Sequence, residues 1–219
     1  MGPPALANVH HQLYSQVTFR FYDVFLGLVM VFDAADPAKV GTVHCRMSWS
    51  SQLASGWHWV DKGGLTGKVF LPLGPKGAFD SHITFAADAP VIVADGIQVF
   101  YMGGNGPHNG ARNTSLGMLK LGVDRFAGLR GSAKFATRSV LCTGPVLRLS
   151  ADVAAGGGGG SVGVSHAALG AAAPVTANVS DAALKFSGGK NFAAMVGKNV
   201  TLSVELKDAT LYTISFTAK

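Results

Sequence analysis

The chain has 219 residues, a formal net charge of +6, 29 glycines and 12 acidic residues, of which Glu205 is the single glutamate. That length holds one large domain or two modest ones, and a composition rich in Gly with recurring Val, Thr, Ser and Phe argues against helices and for an all-β fold. The charge is uneven: between Arg112 and Arg148, seven basic residues (Arg112, Lys120, Arg125, Arg130, Lys134, Arg138, Arg148) accompany one acid, Asp124. Such a run reads as a solvated surface at a domain junction or, more sharply, as a face for an acidic glycan, with nucleic acid third because neither a basic helix nor a basic–aromatic repeat supports it.

In chain order, the opening MGPPALANVHHQ lacks a charged segment followed by an apolar core. No signal peptide is expected there, and secretion would need a longer N terminus. Strands are predicted at Ser15–Phe21 and Val24–Phe32. The second is a nine-residue apolar run, too short to cross a bilayer as a helix, so no membrane partner is expected. After the turn-rich DAADPAKVG, Thr42–Ser50 alternates, with Val43, Cys45, Met47 and Trp49 on one face, and Trp57–Asp61 completes a first group of strands. A second group follows at Ser81–Ala86, Pro90–Ala94, Ile97–Met102 and Ser115–Leu121. Asp95-Gly96 reads as a hairpin turn, and GGNGPHNG reads as a long loop. A self-contained four-stranded sheet of this length is what one blade of a β-propeller looks like. Residues 1–128 are therefore predicted to form a partial propeller of about two blades. Two blades do not close, and their open edges invite a homo-oligomer.

From about Arg130 the texture changes, and the boundary is placed near residues 128–134. Strand signals recur at Ser139–Val140, Val146–Ala151, Val162–Ser165, Val175–Val179 and Ala183–Phe186, interrupted by the spacer AAGGGGGS. The end alternates clearly: Val200, Leu202, Val204 and Leu206 in one strand, then Tyr212, Ile214 and Phe216 on one face of another. Short strands at this spacing predict a C-terminal β-sandwich over 134–219. Cys45 and Cys142 both fall inside strands and read as buried free thiols.

Propellers place their chemistry on residues that open each innermost strand. Asp80 is such a residue, suited to bonding sugar hydroxyls or to capping a tight strand entry. His82 follows on the same side by alternation, as a second polar contact or as simple packing. Gln12 and Tyr14 occupy the equivalent place in the other blade, and Tyr14 suits either a sugar face or the core. His108 and Arg112 lie in a loop long enough to reach over a pocket mouth, although Gly-Asn-Gly runs also serve as plain turns. His10 and His11 lack metal-ligand spacing, and no phosphate loop, dinucleotide fingerprint or nucleophile elbow occurs. Neither a metal nor a cofactor is expected.

Three segments carry a family resemblance: QLYSQVTFRFYDVFLGLVMVF, the run FLPLGPKGAFDSHITFAADAPVIVADGIQVFYMGGNGPHNGARNTSLGMLKLGVDRFAGL, and the ending VGKNVTLSVELKDATLYTISF. Together they resemble the C-terminal half of proteins related to glycoside hydrolase families 32 and 43, which have a five-bladed propeller followed by a sandwich. The resemblance implies that this chain holds the last two blades and the sandwich, with carbohydrate as partner. It also implies a glycosidase chemistry whose acid is a Glu and whose main catalytic Asp lies in earlier blades. Glycoside hydrolysis normally needs two carboxylates. The one glutamate, Glu205, falls on the polar side of an alternating strand, and the propeller half has none. The expectation is a glycosidase-like protein that lacks an acid–base pair within this chain, with no catalytic residue nominated. The alternative is a non-catalytic carbohydrate-binding or protein-interaction module.

Overall fold

A computed structural model describes residues 11–33, 41–54, 56–63, 67–154 and 159–218. His10, most of the turn-rich run after Asp33 and the centre of the glycine spacer lie outside the described residues. The fold is all-β, with 56% of the described residues in strands and 3% in helix, consistent with a partial propeller plus a sandwich. Two compact units are present: residues 1–93 with 97–120, and residues 94–96 with 121–219.

The first unit is one curled eight-stranded sheet. Its first four strands, β1 (His11–Phe21), β2 (Val24–Asp33), β3 (Thr42–Ser50) and β4 (His58–Trp59), form an antiparallel meander. β5 (Ile83–Ala86) joins β3 through a short parallel contact at Val43↔Ile83. β7 (Gly96–Gly104) then pairs with β5, and both β6 (Val91–Val93) and β8 (Thr114–Leu121) pair with β7. The second group of strands is therefore centred on β7 rather than laid out in chain order. The β6–β7 turn falls at Ala94 and Asp95, one residue before the predicted pair, so that Gly96 opens β7.

Alternation on β3 places Val43, Cys45 and Met47 in the core, as the sequence predicts, while Trp49 remains partly exposed. The opposite, polar face is buried as well: Thr42, His44, Arg46, Ser48 and Ser50 each keep less than a tenth of their surface exposed. Buried polar groups need partners. Arg46 finds them by donating from Nε to His44 Nε2 at 3.1 Å and from Nη1 to the Gly67 carbonyl at 2.5 Å. Burial draws the Arg46 pKa down, and the carboxylates of Asp61 and Asp33 oppose that shift.

The second unit contains β9 (Leu129–Ala136), β10 (Val140–Leu141), β11 (Val146–Val153), β12 (Ser161–His166), β13 (Gly170–Ala171), β14 (Val179–Ala183), β15 (Asn199–Val200) and β16 (Ser203–Thr217). β10 and β15 pair with each other, and the other six strands form one sheet. The two terminal strands expected from the sequence are a single strand, the 15-residue β16. It bends at Asp208, whose φ is 41°, beside a register shift between Leu206 and Ala209. Before the bend β16 pairs with β12, after it with β11, and β9 runs along its other edge. Phe192 is fully buried in the core of this unit, with Phe186 and Phe216 rings at 5.5 and 5.0 Å. Among the described residues, no helix is long and apolar enough to cross a membrane.

Candidate functional site

Tyr14 sits at a β-bulge. The β1–β2 register runs Gln12↔Phe32, Leu13↔Val31 and then Ser15↔Met30, leaving Tyr14 as the extra residue. A bulge re-aims a side chain and is common beside functional sites. Here the Tyr14 ring stacks on buried Phe32 at 5.0 Å and 22°, and His108 packs edge-on against it at 5.0 Å. His108 also lies 5.5 Å from Phe32. The result is an aromatic group with a buried floor, Phe32, and an outer residue, Tyr14, that is still 38% exposed.

The loop carrying His108 is built by Arg112. Its Nη1 donates to the His108 carbonyl at 2.6 Å and to the Pro107 and Gly110 carbonyls at 3.4 Å each. Asn105 closes the loop base by accepting from the Asn113 amide at 2.8 Å. The His108 amide donates to the Gly41 carbonyl at 2.6 Å, and the Val43 amide donates to the His82 carbonyl at 2.9 Å. The start of β3 thus anchors both histidines through the backbone. Gly41, at φ 75°, permits this, because a Cβ there would stand 2.9 Å from the His108 nitrogen.

Asp80 lies in the turn before β5 rather than in the strand, so strand alternation does not set its direction or that of His82. Its Oδ2 accepts from the Tyr101 hydroxyl at 2.8 Å, and Tyr101 stacks on Phe79 with centroids 6.1 Å apart. Burial, reinforced by the hydrogen bond to Asp80 and its charge, pushes the Tyr101 hydroxyl up to about 12. Three glycines shape this pair. A Cβ on Gly74 would reach Asp80 Oδ1 at 2.0 Å, one on Gly103 would meet Phe79 at 2.5 Å, and one on Gly117 would meet the Tyr101 ring at 2.4 Å. His82 Nδ1 lies 3.0 Å from Ser81 Oγ.

Of the sequence-predicted residues, Tyr14 and His108 are in direct contact, and Gln12 lies opposite their shared neighbour Phe32. Arg112 holds the loop, while Asp80 and His82 engage Tyr101 and Ser81. Sequence reasoning missed Tyr101 and Phe32, because each sits in an apolar strand and reads as core. The glycines were the available signal, since each stands where an aromatic ring or carboxylate needs the space. Glu205 lies on β16 in an exposed pair with Lys134 at 3.0 Å. Among the described residues, no group of three or more His, Cys, Asp or Glu side chains is arranged to hold a metal.

No protein-family model matches the chain, and no curated protein sequence matches it. Among solved structures, the chain is similar to a glycoside hydrolase family 43 arabinoxylan arabinofuranohydrolase from Bacillus subtilis in complex with cellotetraose, at 10% identity and a TM-score of 0.28. The aligned region covers 93% of this chain and 54% of that one, so the chain spans about half of that protein's length. The likeness is weak. It assigns neither a substrate nor a site residue.

Proposed function

We propose that the first unit binds carbohydrate, as a catalytically incomplete relative of the propeller glycosidases of families 32 and 43. The proposed division is a partial propeller over 1–128 and a sandwich over 134–219. The observation that carries this reading is Tyr14: a bulge lifts it from the strand ladder, and its ring is exposed yet seated on Phe32 and His108. Aromatic faces held in this way suit the C–H face of a sugar ring, and Gln12, His82 and Asp80 are the polar side chains proposed to bond its hydroxyls. Asp80 is assigned a supporting role, because its carboxylate is already engaged by Tyr101 and the first unit contains no glutamate to complete a pair.

Affinity electrophoresis through gels containing soluble polysaccharides tests the reading, together with a panel of aryl glycosides. Retardation in at least one gel, weakened by Tyr14→Ala with no aryl-glycoside turnover, is the expected result. Turnover that Asp80→Asn abolishes would show a complete active site and overturn the incomplete assignment. Migration unaffected by any polysaccharide would overturn carbohydrate binding itself.

A second reading, a protein-interaction module, rests on β8. Its Leu116 is 72% exposed and its Met118 50% exposed, and an edge strand with apolar side chains is a template for pairing with another chain. Under this reading the chain self-associates at high concentration, and a clean monomer in light scattering would remove its support.

A further inference from the structure

The second unit carries an open polar cleft of about 470 Å³ that plays no part in the function proposed above. Its floor is one row across three strands: Arg130 on β9 is paired with Thr210 on β16, which is paired with Asp152 on β11. Tyr212 follows two residues along β16, and Asn178 and Asp208 stand at the border.

Some of these groups are fixed from within. Asp152 accepts from Arg125 Nη2 at 2.7 Å and from the Tyr212 hydroxyl at 2.9 Å. Arg125 in turn lies over the Tyr212 ring, 5.1 Å from its centroid, and donates to Ser180 Oγ at 2.8 Å. The Tyr212 ring lies close over Gly128, where a Cβ would stand 2.9 Å from Cδ1. Asn178 is oriented because its Oδ1 accepts from the Val153 amide at 2.8 Å. Other groups are uncommitted. Among the described residues, the Arg130 guanidinium, the Thr210 hydroxyl and the Asn178 Nδ2 make no hydrogen bond within the protein. The site thus combines a pre-set frame with free donors, the arrangement that lowers the cost of ordering on binding.

The charges select the ligand class. Arg125 and Arg130 are balanced by Asp152 and Asp208, so an anion entering beside Arg130 also meets carboxylates, and a cation meets the reverse. A molecule whose every group both donates and accepts satisfies both sets, and hydroxyls do so. The volume falls in the range of small-molecule sites and suits one or two sugar rings. We propose that this cleft is a carbohydrate-binding site, separate from the Tyr14 surface, that takes a neutral mono- or disaccharide through hydrogen bonds. The proposal rests on the second unit alone and does not depend on the role assigned to Tyr14.

Asn178 belongs to an Asn-Val-Ser sequon, so the test uses the full chain made in bacteria, where no glycan occupies it. Titration calorimetry is run with neutral methyl glycosides and disaccharides, and with glucuronate and inorganic sulfate as anionic comparators. The proteins are the natural chain and its Thr210→Val, Arg130→Ser and Tyr14→Ala variants, with circular dichroism confirming that each is folded. Binding of at least one neutral saccharide is expected. Thr210→Val and Arg130→Ser should each weaken it by up to about tenfold, the scale of one hydrogen bond, and Tyr14→Ala should retain a component of that binding. The proposal is overturned by no neutral saccharide binding at the highest soluble concentration, by binding lost entirely in Tyr14→Ala, or by preferential binding of the anions. If both cleft variants bind as the natural chain does, the site lies elsewhere and the proposal fails.

Discussion

Tyr101 and Asp152 are the two residues whose surroundings carry the clearest chemical consequences. The Tyr101 hydroxyl, pushed to about 12 from an ordinary 10.0, holds its proton more tightly in the folded chain than in the unfolded one. Its stabilising contribution is therefore complete below pH 10 and lost as pH rises through about 12. Ultraviolet titration of tyrosinate should show a group near 12 that Tyr101→Phe removes. Asp80→Asn should lower that value without restoring it to 10, because burial remains the larger cause. Asp152 behaves oppositely: the hydrogen bond from Arg125 holds its carboxyl below the ordinary 3.8. Its contribution is present above that value and lost as pH falls through the folded pKa. Asp152→Asn should cost about 1 kcal/mol at neutral pH, because the pair is partly solvated, and should flatten the acid limb of a stability-versus-pH curve. Gly103→Ala should destabilise by about 1–3 kcal/mol in urea unfolding, since the new methyl meets both Phe79 and Asp80 in a packed setting.

At the scale of the element, β16 depends on one residue. Asp208 occupies a left-handed conformation at φ 41°, and its carboxylate and amide both bond Ser132, at 3.1 and 3.0 Å. Asp tolerates this conformation, whereas a β-branched side chain resists it. Asp208→Val should cost about 1–3 kcal/mol in chemical denaturation, and Asp208→Gly should cost less. The sequence showed the alternating residues on both sides of this bend and so revealed both halves of the strand. The bulge at Lys207 and Asp208 that keeps the ladder continuous has no sequence mark. β3 shows the complementary failure. Its apolar face was legible, but the burial of Thr42, His44 and Arg46 was not, because the segment that supplies carbonyls to Arg46 lies some twenty residues away. Tyr14 and His108 were legible as candidates one at a time. Their contact depends on a bulge and on a loop folded by Arg112, and neither is a local property of the chain.

At the scale of the whole molecule, each unit has its own core: Leu28, Met30, Val43 and Ile83 in the first, and Leu147, Leu149, Phe192 and Leu202 in the second. All three tryptophans, Trp49, Trp57 and Trp59, belong to the first unit. Tryptophan fluorescence should therefore report unfolding of the first unit alone. Ending the chain after Leu202 should leave that signal native-like while the far-ultraviolet strand signal falls, and a collapsed fluorescence transition would show that the units fold together. The long strand β16 also imposes an order in time. It pairs with β9, β11 and β12, so during synthesis those strands emerge from the ribosome with their shared neighbour still unmade. Until residues 203–217 arrive, the apolar faces of β11 and β12 have no strand to unite them. Folding of the second unit is therefore expected to wait on translation of β16, which refolding of a chain released before residue 203 would check.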